Sequence, residues 1–133
     1  MSTQIFVNLP VRNFDVSRAF FEKLGFTFNL QFTDENAACM VIDENIYVML
    51  LVEKFFKTFT RKPVSDARTS TEVLVAFSVD SREEVDDMIE AAVGAGGAEA
   101  RNAQDHGWMY GRSFEDLDGH IWEVLWMDSS RSK

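Results

Sequence analysis

Two histidines, one cysteine and a charged stretch near the C-terminus are the groups with which this sequence could do chemistry. His106 lies beside Asp105 in a polar segment before Trp108, where a solvated loop position is expected. His120 follows Asp118-Gly119 in a turn and is one residue out of phase with Glu123, so it is expected to be exposed. Cys39 sits in the apolar run 37–42 and reads as a small buried side chain rather than a nucleophile. The charged stretch is more promising. Simple pairing through the turn Asp116-Leu117-Asp118-Gly119 sets Phe114 against Ile121 and Arg112 against Glu123. Cross-strand partners share a face, so Tyr110, Arg112 and Glu123 are expected to point the same way. Arg112 and Glu123 would then either neutralise each other or act as polar anchors in an apolar pocket for a charged ligand group.

The elements that would position these residues occur twice. Residues 5–9 read as a strand stopped by Pro10. Asn13 or Asp15 can cap a helix whose apolar positions Val16, Ala19, Phe20, Phe21 and Leu24 recur at helical spacing, and Gly25 follows as a C-terminal stop. Alternation over 26–32 predicts a half-buried strand. Two more strands, 37–42 and 46–52, flank the turn Asp43-Glu44-Asn45. A short aromatic and basic helix then begins a connecting segment over 53–71, either a lid or a linker pinned by Phe55, Phe56 and Phe59.

The pattern then restarts. A strand over 72–79 leads into Ser81-Arg82-Glu83-Glu84, a capping box. Val85, Met88, Ile89, Ala92 and Val93 form the stripe of a second helix, ended by glycines. Strands follow over 98–103, 108–114 and 120–127. Val11-Arg12-Asn13 matches Val79-Asp80-Ser81 at an offset of 68 residues (13 to 81), which marks an internal repeat. The expected class is α+β: one domain over 1–133, made of two βαβββ modules (3–52 and 72–128) joined by 53–71. Such modules form an open mixed-sheet barrel or cup with helices outside. A cup offers a concave, mostly apolar site of the kind that takes a small molecule.

Composition narrows the partners. The formal net charge of −9 opposes nucleic-acid binding, which needs clustered Lys and Arg. No apolar run approaches a membrane span, and no signal peptide is evident. A single cysteine agrees with a cytoplasmic location. Twelve Phe and three Trp are enough to pack a core and line a pocket as well.

The opening Leu9-Pro10-Val11-Arg12-Asn13 with 19–26, and the closing Phe114-Glu115-Asp116-Leu117-Asp118-Gly119-His120-Ile121-Trp122-Glu123-Val124, resemble the vicinal oxygen chelate superfamily. That group includes glyoxalases, bleomycin-resistance proteins, fosfomycin-resistance enzymes and extradiol dioxygenases. The resemblance covers nearly the whole chain. It implies metal ligands on the first, fourth, fifth and eighth strands, facing into the cup. The eighth-strand position is Glu123, a competent ligand. The others fall on Phe6, Met49 and Leu74, with Asn8, Tyr47, Ser78 or Glu72 reached only by sliding the register. One carboxylate does not hold a divalent ion.

The resemblance therefore implies a metal-site-depleted member with no cofactor, a metal-independent small-molecule binding protein of the bleomycin-resistance kind. Its cup would be lined by Phe6, Asn8, Tyr47, Met49, Leu74, Trp108, Tyr110, Arg112 and Glu123. Its ligand would be aromatic or cationic, and the protein a homodimer. The alternative is a metal-dependent lyase or dioxygenase of the same superfamily, such as a lactoylglutathione lyase.

Overall fold

The computed structural model describes residues 2–132 of the chain. The chain divides into two compact units, the first ending at Ser65 and the second beginning at Asp66. It is α+β throughout, with one mixed sheet in each unit.

In the first unit the order is β1 (Ile5–Val11), α1 (Phe14–Lys23), β2 (Thr27–Phe28), β3 (Ala37–Asp43), β4 (Ile46–Val52) and a short α2 (Glu53–Phe56). The sheet order is β1-β4-β3-β2, with β1 parallel to β4 and the remaining pairs antiparallel. Asn13 is the residue that caps α1, its side chain accepting from Val16 N. Gly25 follows the helix at φ +100°, a left-handed conformation that glycine adopts without strain. Helix α1 buries Phe20 and Phe21 against the face of the sheet that carries Leu9, Val11, Val48 and Leu50. Phe20 and Phe21 meet edge to face at 5.0 Å.

The second unit repeats the plan with β5 (Leu74–Ser78), α3 (Arg82–Gly94), β6 (Ala98–Glu99), β7 (Gln104–Asp105), β8 (Met109–Glu115) and β9 (Ile121–Met127). Its sheet runs β5-β9-β8-β6, with β7 also on β8 and β5 parallel to β9. Ser81 caps α3 by accepting from Glu84 N, and Glu84 in return accepts from Asp80 N at 2.7 Å. The capping residues Asn13 and Ser81 are the two that the repeat aligns. Helix α3 buries Val85, Ile89 and Ala92. On β8 and β9, Phe114 and Trp122 stand opposite each other with parallel rings 6.1 Å apart.

Three local expectations change. The alternation over 26–32 yields only the two-residue β2, because Asn29 captures Gln31 N with its side chain and turns residues 30–32 into a 3-10 turn. Of the strand expected over 98–103 only β6, Ala98–Glu99, forms, and β7 follows beyond it at Gln104–Asp105. His120 is buried, not exposed, since its backbone N–H donates to the Asp116 side chain inside the β8–β9 turn. No helix among the described residues is long and apolar enough to cross a membrane.

Candidate ligand-binding site

The register of β1 on β4 sets Phe6 beside Tyr47 and Asn8 beside Met49, and that of β3 on β4 sets Cys39 beside Met49. Side chains alternate across a strand. Val7, Leu9, Val48 and Leu50 therefore turn one way, the last three into the core. Phe6, Asn8, Tyr47, Met49 and Cys39 turn to the opposite face. There they line a cavity of about 350 Å³ together with Gln4, Asn29 and Phe32. That volume falls in the range of small-molecule pockets.

Its walls are rings. Phe6 and Tyr47 stack at 4.9 Å with an interplanar angle of 13°. The Tyr47 hydroxyl donates to Glu44 O at 2.8 Å and accepts from the Gln4 amide at 3.4 Å, which fixes the ring. The polar groups on the lining are amides and a phenol, and no lining residue is charged. Burial pushes the Cys39 thiol up from its ordinary range, so it stays protonated at neutral pH and packs as an apolar group.

Four residues expected from the sequence meet here: Phe6, Asn8, Tyr47 and Met49. Gln4, Asn29, Phe32 and Cys39 were missed as lining residues. The turn at Glu44-Asn45 alone would have set Met40 opposite Met49; a register shift between Val41 and Asp43 brings Cys39 there instead.

The charged residues of the second unit are arranged differently from expectation. Arg112 stands opposite Val124, and Glu123 stands opposite Ser113. The β8–β9 connection holds one residue more than simple pairing assumed, because Asp116 N donates to His120 O and the ladder resumes at Glu115 with Ile121. A slip of one residue moves a side chain to the other face of the sheet. Arg112 and Tyr110 therefore face α3, away from Glu123, and they do not form a pair with it.

Arg112 is consumed by structure. Its Nε and Nη2 donate to the two oxygens of Glu99, both at 3.0 Å, and its Nη1 donates to Asp86 Oδ1 at 2.8 Å. Tyr110 donates to the same Asp86 oxygen at 2.6 Å. The Arg82 guanidinium lies 4.6 Å from the Tyr110 ring centre, and 5.5 Å from that of Trp126. The Tyr110 hydroxyl and the Arg112 guanidinium hold the Asp86 carboxyl below its ordinary range, and Arg112 does the same for Glu99. Carboxyls depressed in the fold add stability above the unfolded-state value and lose it as pH falls through the folded one. Chemical denaturation is accordingly expected to show stability declining below about pH 4. Arg112→Met is expected to lower stability at pH 7 and to make that acid decline shallower.

Glu123 and the fifth strand also part from expectation. The β5 residue beside Glu123 is Ala76, while Leu74 stands two residues away beside Ile121. Glu123 is engaged by Arg101, whose Nη2 donates to Oε2 at 3.1 Å. Trp108 is exposed, its ring 6.4 Å from His106. Asn8 with Met49 and Ala76 with Glu123 thus occupy matching ladder positions in the two sheets. Neither pair fits a divalent metal by itself: Asn8 with Met49 offers an amide and a thioether, and Ala76 with Glu123 a single carboxylate. Among the described residues, no three His, Cys, Asp or Glu side chains gather closely enough to hold one.

A family model described as the Glyoxalase/Bleomycin resistance protein/Dioxygenase superfamily matches residues 4–124. No curated protein matches the sequence. Among solved structures, a hypothetical protein from S. aureus is similar at 29% identity and TM-score 0.78, covering 94% of each chain. A glyoxalase-related enzyme from Fulvimarina pelagi is similar at 20% identity and TM-score 0.78, covering 95% of this chain and 88% of its own. The genomically encoded fosfomycin resistance protein FosX from Listeria monocytogenes matches at 17% identity and TM-score 0.67, over 95% of this chain and 93% of its own.

Proposed function

The chain belongs to the glyoxalase/bleomycin resistance protein/dioxygenase superfamily, and we propose that within it the protein is a metal-independent binder of small aromatic molecules. The observation that carries this reading is the cavity of the first unit, walled by Phe6, Phe32 and Tyr47 and lined by no charged residue. A flat apolar ligand gains burial and ring contacts there. Gln4, Asn8 and the Tyr47 hydroxyl offer neutral hydrogen bonds to orient it. An ionic group would enter this cavity unpaired, which is unfavourable, so the ligand portion it takes is neutral. Against the metal-dependent lyase or dioxygenase reading stand Asn8, Met49 and Ala76, which at these ladder positions offer no His or carboxylate beside Glu123.

The test is a titration with a neutral naphthalene-type fluorophore, in EDTA and in added divalent metal. Equal binding in both is expected. Tyr47→Ala removes one face of the stack and is expected to weaken binding about tenfold, in line with the worth of an aromatic contact plus its buried area. Binding that appears only with a divalent ion, or that ignores Tyr47→Ala, would overturn the proposal.

A further inference from the structure

The second unit holds a polar feature that the first-unit cavity leaves unused. Glu123 lies on the face of the sheet turned away from α3, with its side chain only 18% exposed. Its neighbours there are apolar: Ala76 beside it on β5, and Ile121 and Leu125 two residues away on its own strand. A carboxylate so placed offers about four acceptor sites. One hydrogen bond meets them, from Arg101 Nη2. Directly across the ladder is Ser113, on the same face. Ser113 is 1% exposed, and its hydroxyl has no hydrogen-bond partner. A buried hydroxyl without a partner is uncommon and calls for an explanation.

Arg101 comes from the connection between β6 and β7, which is tied to β8 at its start by Ala100 N donating to Ser113 O at 3.0 Å. The Arg101 side chain is itself 53% exposed and bonds the carboxylate through one nitrogen only. A guanidinium matches a carboxylate best through two parallel bonds, and this one makes a single bond from the end of a long, flexible stem. Ion pairs of this exposure are weak, so a better-fitting cation can displace it.

We propose that Glu123 and Ser113 form a binding subsite for a primary ammonium group, occupied in the free protein by the protein's own Arg101. An ammonium is compact and carries three donors. One N–H meets the Glu123 carboxylate and another the idle Ser113 oxygen, a combination the single Arg101 contact leaves unmade. The apolar residues around Glu123 suit an amine attached to a hydrocarbon body. The subsite turns Glu123 from the metal-ligand position that the resemblance implied into a cation receptor.

The experiment is calorimetric titration of the full chain with phenethylammonium, and with 2-phenylethanol as its neutral counterpart. Arg101→Ala is expected to bind the amine about tenfold more tightly than the unaltered protein, the scale of one hydrogen bond to a charged group. Lys62→Ala, with the same change of net charge, is expected to show no such gain. Adding Glu123→Gln to Arg101→Ala is expected to abolish the gain, and adding Ser113→Ala to reduce it several-fold, with melting curves confirming that each variant folds. The proposal is overturned if Arg101→Ala binds no better than Lys62→Ala, if the alcohol gains equally, if the gain survives Glu123→Gln, or if Ser113→Ala leaves it undiminished.

Discussion

Gly119→Ala is expected to destabilise the protein by about 2–6 kcal/mol. Two independent penalties meet at this position. Gly119 has φ +91°, where a side chain is strained by roughly 1–3 kcal/mol. A Cβ there would also lie 2.8 Å from Ala67 C and Arg68 N and 2.9 Å from Ala67 O. These are backbone atoms of a turn held by Asp66, which accepts from Arg68 N, Thr69 N and Ser70 N. They cannot swing aside as a side-chain tip could, and overpacking of this kind adds about 1–3 kcal/mol. Thermal denaturation is expected to fall by roughly 10 °C or more. Gly25→Ala supplies the control. Gly25 has φ +100° but nothing within 4 Å of the added carbon. Its loss is expected to be about 1 kcal/mol, from conformation alone. Equal losses at the two glycines would show that the contact with Ala67 and Arg68 is unimportant.

Asp116→Asn is expected to cost about 2–3 kcal/mol through hydrogen bonding in the same turn. Asp116 is 5% exposed. One carboxylate oxygen accepts from Asp118 N at 2.9 Å and His120 N at 3.0 Å, and the other from the Trp122 indole at 2.9 Å. Every partner is a donor. An asparagine has one acceptor oxygen, so in either orientation its amide nitrogen confronts at least one buried N–H. Burial pushes the Asp116 carboxyl up, while the charge of His120 and the Trp122 N–H pull against that. Removing the charge therefore relieves some desolvation, and the expected loss is that of an opposed donor pair rather than of a broken ion pair. Urea denaturation gives the magnitude. The three indole N–H signals in a proton–nitrogen spectrum give the location, since the Trp122 signal is expected to move most. An unchanged Trp122 signal with unchanged stability would refute the assignment.

The same turn marks the limit of what was legible in the sequence. Helix starts were readable because capping is a local contract between a side chain and an N–H a few residues on, and Asn13 and Ser81 both honour it. The α+β class followed from the repeated strand and helix patterns, and the superfamily resemblance from the motifs at 9–26 and 114–124. The β8–β9 register was not readable. Whether the turn ends at Gly119 or at His120 depends on where the Asp116 carboxylate finds its donors. That choice alone buried His120, moved Arg112 and Tyr110 to the helix face, and left Glu123 beside Ser113. Asn29 acted in the same way when its side chain converted an alternating segment into a 3-10 turn. In the cavity, Phe6, Asn8, Tyr47 and Met49 were reached through the resemblance, whose first- and fourth-strand ligand positions fall on or beside them. Cys39 and Phe32 were hidden because apolar side chains give no sign of which face they serve.

The pairing of first and last strands also sets the order in which each half can be completed. β1 runs along β4, and β5 runs along β9, so each sheet bonds its earliest strand to its latest. On a ribosome, Ile5–Val11 waits for Ile46–Val52, whereas Leu74–Ser78 waits for Ile121–Met127. Closing such long loops is slow relative to forming a hairpin. During that wait β5 carries an unpaired edge, the kind of exposed strand that invites pairing with another chain. Nascent chains stalled before Ile46 or before Ile121 would therefore be the species most open to such pairing.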